Sequence, residues 1–294
     1  MTLESRDPSF TALVGHAVEC EKVATGFGFT EGPLWNAQEQ CLLFSDIPGN
    51  RIHRWSAGAG VTVFREPSHM ANGLTADRQG RLIACEHATS RVTRTEADGR
   101  ISVLASHYEG KELNSPNDVV VKSDGAIYFS DPGYGRMAYY GVEREPQLAF
   151  RGVYRVAANG AALTLLASDF GQPNGLCFSA DEALLFVNDT ERQHIRVFDV
   201  AADGTVSGGR LWAQVSGKGP GAPDGMKIDS QGNLYCTGPG GIHVFDHAAN
   251  CLGVIHVPES AANFTWGEAD RCSLFITATH SLYRARVRVP GRGP

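Results

Sequence analysis

The chain has 294 residues, of which 42% are hydrophobic and 20% charged, and its formal net charge is -6 at pH 7. Such a composition describes an ordered globular protein long enough to bury a sizeable core. The acidic balance, with a pI near 5.9, argues against nucleic acid or an anionic membrane as a partner.

The first residues, "MTLESRDPSFTALVGHAVEC", place Glu4, Arg6 and Asp7 early and contain no continuous apolar stretch. They do not read as a signal peptide, and no run approaches the length that spans a bilayer, so the expected location is cytoplasmic. Residues 1–15 read as an N-terminal extension, and about 16–29 as a strand that closes a ring with the C-terminal segment. The seven cysteines form no Cys-x-x-Cys pair. Cys41, Cys85, Cys177, Cys236 and Cys272 lie in or beside apolar runs and read as buried thiols. The ten histidines include no His-Glu-x-x-His. Gly217-Lys218 is followed by Gly219, which rules out a P-loop, and no Gly-x-Ser-x-Gly elbow occurs.

From Thr30 onward one unit recurs. "TEGPLWNAQEQCLLFSD", "ANGLTADRQGRLIACEH" and "PNDVVVKSDGAIYFSD" are followed by "PNGLCFSADEALLFVND", "PDGMKIDSQGNLYCTG" and "NFTWGEADRCSLFITATH". Each begins near a short polar residue, passes through an apolar strand, turns, and enters a second apolar strand. The equivalent leading residues are Glu31, Asn72, Asn117, Asn174, Asp224 and Asn263, at intervals of 41, 45, 57, 50 and 39 by subtraction of those positions. Intervals of that size suit propeller blades of four strands. "RIHRWS", "RVTRTEADGRISVLA", "GVYRVAANGAALTLLA" and "IRVFDVAADGTVSGGRLWA" supply further strands. Several of these turn at Asp-Gly or Asn-Gly, as at Asn159-Gly160. Helical periodicity is scarce. The expected fold is all-β, a six-bladed β-propeller forming one domain over residues 1–294; a pair of β-sandwiches would not repeat one hairpin with one polar leading residue.

The innermost strands of a propeller line its channel and run in one direction, so equivalent leading residues converge at one mouth. Glu31, Asn117, Asn174 and Asp224 then face one another across the axis. Two carboxylates and two amide oxygens make a hard-oxygen set suited to Ca²⁺ or another divalent ion, and less suited to structural zinc. Ordered water alone would be the alternative occupant; repulsion between Glu31 and Asp224 favours the cation.

"TEGPLW", "SPNDVVVKSDGAIYFSDPGYG", "FRGVYRV", "QPNGLCFSADEALLFVNDT" and "PDGMKIDSQGNLYCTGPGGIHVF" resemble the gluconolactonase branch of the senescence-marker-protein/gluconolactonase/luciferin-regenerating-enzyme family, from about Thr30 to Arg284. The resemblance implies a six-bladed propeller with a divalent metal in its channel and hydrolysis of a small-molecule sugar lactone. It implies Glu31, Asn117, Asn174 and Asp224 as metal ligands, Asp224 also as general base or nucleophile, and Asp118 as a neighbour orienting or balancing the site. Ca²⁺ is the expected ion, with Zn²⁺, Mg²⁺ and Mn²⁺ as alternatives. Animal lactonases of this family carry an Arg two residues before the equivalent of Asn117. Ser115 stands there in this chain, so substrate positioning from that branch does not carry over.

The segment "DPGYGRMAYYGVEREPQLAF" reads either as a lid over the channel mouth or as an ordinary loop. As a lid it would bring Asp131, Tyr134 and Arg136 to sugar hydroxyls, with Asn72, Asn114 and Asp189 as further substrate contacts. A cation polarising the lactone carbonyl, with water near Asp224 or Asp224 itself attacking, needs no Ser-His-Asp triad. Two other readings use the same residues. One is a phosphotriesterase or fluorophosphate hydrolase; the other is a non-catalytic interaction platform with a structural metal. The absence of a Trp-Asp repeat signature weighs against the platform.

Overall fold

Valine, isoleucine and aromatic residues in each repeat favour extended backbone, and the polar residues between them favour tight turns. Val119–Val121 and Ile127–Asp131 pair antiparallel; the turn between them uses Gly125 at φ +88° and an Asp124 side chain that accepts the Ala126 N–H at 2.8 Å. The computed structural model describes residues 2–158, 160 and 162–293. Asn159 of the expected Asn159-Gly160 turn lies outside these residues.

Among the described residues the strands form six antiparallel blade sheets, each built on four strands, and one two-stranded hairpin, His107–Tyr108 with Lys111–Glu112. The inner strands of the blades are Thr30–Asn36, Ala71–Ala76, Val119–Val121, Pro173–Phe178, Met226–Ile228 and Ala261–Gly267. Each inner strand touches the next, and the sixth touches the first, so the arrangement is a closed ring. This is the six-bladed propeller that the repeats predict. Hydrophobic layers fill the spaces between blades; Ile83, Cys85 and Val92 of the second, for example, pack with Phe129 and Tyr154 of the third. All seven cysteines are free; Cys41, Cys85, Cys177 and Cys236 are buried, while Cys272 is only half-buried. No helix among the described residues is long and apolar enough to cross a membrane.

Both chain ends join the ring. Cys20–Thr25 pairs with Ser281–Arg286 as the outer strand of the sixth blade. Leu3–Ser5 adds a fifth strand to the fifth blade by pairing with Cys251–His256. Between them Ser9–Val14 forms a short helix whose Phe10, Leu13 and Val14 pack into the core beside Tyr235 and Ile242. Its six residues are too few for a helical period to register in sequence.

A repeated irregularity aims the leading residues. Strand pairing slips between Glu31 and Leu34, Ala71 and Leu74, Pro173 and Leu176, and Ala261 and Asn263. Bulges of this kind bend a strand and redirect a side chain. Glycine follows four of the leading residues because the next blade comes so close. A Cβ at Gly32 would stand 2.1 Å from the Asn72 carbonyl oxygen, at Gly73 2.4 Å from that of Asn117, and at Gly175 2.0 Å from that of Asp224. At Gly225 it would stand 2.1 Å from Asn263 Oδ1. Side chains of second strands hold the same carbonyls: Ser45 Oγ donates to Asn72 O at 2.7 Å and Asn188 Nδ2 to Asp224 O at 2.5 Å.

Gly175→Ala should therefore destabilise the protein by about 1–3 kcal/mol through overpacking. Gly58→Ala, where a Cβ meets nothing within 4 Å, should stay within about 0.5 kcal/mol of the parent. Chemical denaturation of both variants reads the difference, and equal stability would refute the close-approach argument.

Candidate active site at the channel mouth

Five of the six leading residues, Glu31, Asn72, Asn117, Asn174 and Asp224, line one cavity with Phe29, Ile47, His87, Tyr134, Tyr140 and Thr190. The sixth, Asn263, supports it from the side: its Nδ2 donates to Glu31 Oε2 at 3.0 Å, and its Oδ1 accepts the Phe264 N–H and Lys227 Nζ. Asn174 Nδ2 donates to Thr190 Oγ1 at 3.1 Å, and Thr190 Oγ1 in turn donates to the Pro223 carbonyl at 2.6 Å. Asn174 Oδ1 is then buried without a hydrogen-bond partner.

The carboxyl groups carry the strongest electrostatics. Glu31 and Asp118 are buried; Asp224 is half-exposed by way of the cavity and otherwise enclosed by protein. Loss of hydration raises the Asp224 pKa well above the ordinary carboxyl value, and the charges of Glu31 and Asp118 and contact with the Glu31 carboxyl raise it further. Glu31 is raised by the same loss of hydration and by Asp118, against the opposing pull of Gly32 N–H, Asn263 and Lys227. Asp118 stands where four other blades have glycine. Burial raises it, Lys227 and nearby backbone N–H groups lower it, and its Oδ2 makes no hydrogen bond of good geometry. Among the described residues no three His, Cys, Asp or Glu side chains form a metal cage by themselves. A cation here would draw on amide oxygens, and the unpartnered Asn174 Oδ1 beside two adjoining carboxyls has the chemistry of such a donor.

The segment after Asp131 lies across this mouth. Tyr139 donates its hydroxyl to the Gly28 carbonyl at 2.9 Å, and the Tyr140 ring meets Phe29 edge-on at 5.2 Å. On the fourth blade the Gly133 N–H donates to Gln172 Oε1 at 3.0 Å. Ser115 anchors the segment from below, donating to the Pro132 carbonyl at 2.6 Å and accepting the Gly135 N–H at 2.9 Å. Tyr134 reaches the cavity beside Thr190, and burial holds its phenol protonated, with a pKa pushed up to about 12.

Four residues expected to touch sugar are placed elsewhere. Asp131 accepts the backbone N–H groups of Asn114 and Ser115 at 2.8 and 2.7 Å, and Asn114 Nδ2 donates to the Phe150 carbonyl at 2.9 Å. Asp189 accepts the N–H groups of Gly171 and Gln172 at 2.8 and 3.0 Å. Arg136 donates to the carbonyls of Asn114 and Leu113 and pairs with Glu112. None of the four lines the cavity. The physical reason is a second repeat: Asp46, Asp131 and Asp189 end the second strand of their blades and clamp the loop two and three residues before the leading residue. Burial pushes Asp131 up to about 7, while the Asn114 and Ser115 N–H groups draw it down.

The residues that sequence reasoning missed follow directly. Ile47, His87 and Thr190 each come one position after those strand ends, at Asp46, Glu86 and Asp189, and each lines the cavity. Aligning the repeats one strand further would have found them.

Residues 29–280 match the family described as the SMP-30/Gluconolactonase/LRE-like region. The gluconolactonase of Zymomonas mobilis is 32% identical, over 97% of this chain and 85% of the relative. The pentonolactonase of Haloferax volcanii is 29% identical over 87% of this chain and 83% of its own. Among solved structures, a Xanthomonas campestris gluconolactonase superposes with a TM-score of 0.90 at 34% identity, covering 98% of this chain and 95% of the other.

The two kinds of acid should respond to neutralisation with opposite signs. Asp131→Asn turns one acceptor oxygen into a donor facing a backbone N–H and should cost about 1–3 kcal/mol. Asp118→Asn removes a charge from beside two others and should stabilise the metal-free protein by about 1 kcal/mol. Denaturation in chelator measures both; destabilisation by Asp118→Asn would show that its charge is compensated within the protein.

Proposed function

The chain belongs to the SMP-30/Gluconolactonase/LRE-like family, and from that premise we propose that this cavity hydrolyses a five- or six-membered sugar lactone with the help of a divalent cation. Lactone hydrolysis is the activity named for its gluconolactonase and pentonolactonase relatives. The observation that carries the site assignment is the contact of the Glu31 and Asp224 carboxyls beside the unpartnered Asn174 Oδ1.

Glu31, Asn117, Asn174 and Asp224 are the residues that would hold the ion. All four offer oxygen, which suits Ca²⁺ ahead of Mg²⁺, Mn²⁺ or Zn²⁺. When bound, such an ion compensates the carboxylates and polarises a lactone carbonyl.

The chain's own groups divide the remaining work. Asp224 holds a water molecule and takes its proton as the water oxygen attacks the carbonyl carbon. Collapse of the tetrahedral adduct breaks the bond from the acyl carbon to the ring oxygen. That oxygen receives the proton from Asp224, and the product is the open hydroxy acid. Tyr134, held as a neutral phenol, supplies an O–H donor to the substrate. Phe29 and Tyr140, packed edge-on at 5.2 Å, narrow the mouth of the cavity.

Asp224→Asn preserves an oxygen and the side-chain shape but removes the base. Turnover of gluconolactone, corrected for spontaneous opening, should fall on the order of 10²–10⁴-fold while metal content is kept. Equal rates with metal retained would leave Asp224 as a ligand alone. Glu31→Gln combined with Asn174→Ala should abolish stoichiometric divalent metal after dialysis; full metal content in that double variant would refute the ligand set. Turnover of a phosphotriester without turnover of any aldonolactone would move the assignment to that substrate class.

A further inference from the structure

His87 is fully enclosed at the wall of the cavity and makes two side-chain contacts. Its Nδ1 lies 2.8 Å from the carbonyl oxygen of Tyr140, in the segment over the mouth. Its Nε2 lies 3.3 Å from Asn72 Nδ2, on the inner strand of the second blade. A carbonyl only accepts, so Nδ1 carries the proton. Burial lowers the imidazole pKa to about 4, so at neutral pH the ring has one proton and Nε2 is an acceptor. An acceptor at Nε2 requires the NH₂ end of Asn72 opposite it. Were that amide turned round, its oxygen would face the Nε2 lone pair at 3.3 Å, acceptor against acceptor. The Asn72 backbone has no freedom to adjust, since its carbonyl is held by Ser45 and pressed against Gly32.

The same residue underlies the covering segment. A Cβ on Gly135 would stand 2.6 Å from His87 Cβ, and Arg144 donates to the His87 carbonyl at 3.0 Å. The segment rests on His87 through both its side chain and its backbone.

We propose that His87 is a positioning residue with two separable roles: it latches the covering segment through Tyr140, and it turns Asn72 Oδ1 into the cavity as an acceptor for a substrate hydroxyl. The inference rests on the lactonase reading and deepens it by naming the substrate feature. The favoured lactone bears a hydroxyl donor where Asn72 can receive it, and a lactone without hydroxyls gains nothing from that oxygen.

Two conservative variants split the roles, because each keeps one end of the imidazole. His87→Asn places an amide nitrogen near the former Nδ1 and keeps the bond to Tyr140, but it loses the acceptor for Asn72. His87→Gln reaches the former Nε2 position with an acceptor oxygen and loses the latch. The readouts are kcat/KM for gluconolactone relative to δ-valerolactone, and the rate of trypsin cleavage after Arg144. In His87→Asn the ratio should fall about 10-fold, the value of one lost hydrogen bond, with cleavage as slow as in the parent. In His87→Gln the ratio should be rescued to within about 3-fold of the parent while cleavage accelerates. Asn72→Leu, which leaves the latch intact, should reproduce the lowered ratio, and it tests the hydroxyl role should the histidine variants fold poorly. An unchanged ratio in His87→Asn or Asn72→Leu would overturn the hydroxyl role. Parent-like cleavage in His87→Gln would overturn the latch. Absence of any lactone turnover by the metal-loaded parent would overturn the activity and the hydroxyl role together, while cleavage still decides the latch.

Discussion

Three carboxyl groups enclosed around one axis, Glu31, Asp118 and Asp224, are the constraint on which the rest of the structure turns. Each loses hydration; the charges of Glu31 and Asp118 oppose ionisation of Asp224, and that of Asp118 opposes ionisation of Glu31. Enclosing ions without partners costs several kcal/mol apiece, and among the described residues Lys227 is the cation that acts on both Glu31 and Asp118. A chain assembled for stability alone would not retain that arrangement. It persists because a ring of six blades has no freedom to move its inner strands apart. Glycine-to-carbonyl contacts set the spacing, and the strand ends on both sides of each gap are fixed by pairing.

The ring also explains how short polar side chains achieve orientation. At four blades the leading residue sits at or beside a bulge, so its direction is set by backbone pairing and not by rotamer preference alone. Its far atom is then held by one neighbour: Thr190 for Asn174, His87 for Asn72, Asn263 for Glu31. Holding the nitrogen of an amide decides where its oxygen points. Supporting contacts of this kind fix the orientation of the cavity's polar groups in advance, which lowers the ordering cost of any binding there.

Much of this was legible in the amino-acid order. The hairpin repeat is carried by apolar strands and Asp/Gly turns, features that act over a few residues, and the six leading residues could be aligned from it. The N-terminal strand and helix were not legible, because three and six residues carry no period and their pairing partner lies at Cys251–His256. Asp131, Asp189 and Asn114 were misplaced for a different reason. An acid after a strand looks the same whether it clamps a loop or faces a cavity, and only the position of backbone N–H groups separates the two. Ser115 shows the converse: it departs from the animal pattern, and the fold uses its hydroxyl to anchor the covering segment.

That distinction gives the molecule its division of labour. Acids at the ends of second strands are satisfied: Asp46, Asp131 and Asp189 each accept two or more N–H groups from the loop ahead of a leading residue. They turn charge into rigidity. Acids at or beside the leading positions receive less than their oxygens can accept: Asp118 Oδ2 receives nothing, as does the neighbouring amide oxygen, Asn174 Oδ1. Satisfied acids hold the frame in which unsatisfied ones are kept close together. Exchange of the two sets would leave composition and net charge unchanged, yet the loops would loosen and the cavity would lose its unmet oxygens. The backbone thus satisfies one set of acids and leaves the other short of partners, and the propeller makes that arrangement sustainable by closing on itself.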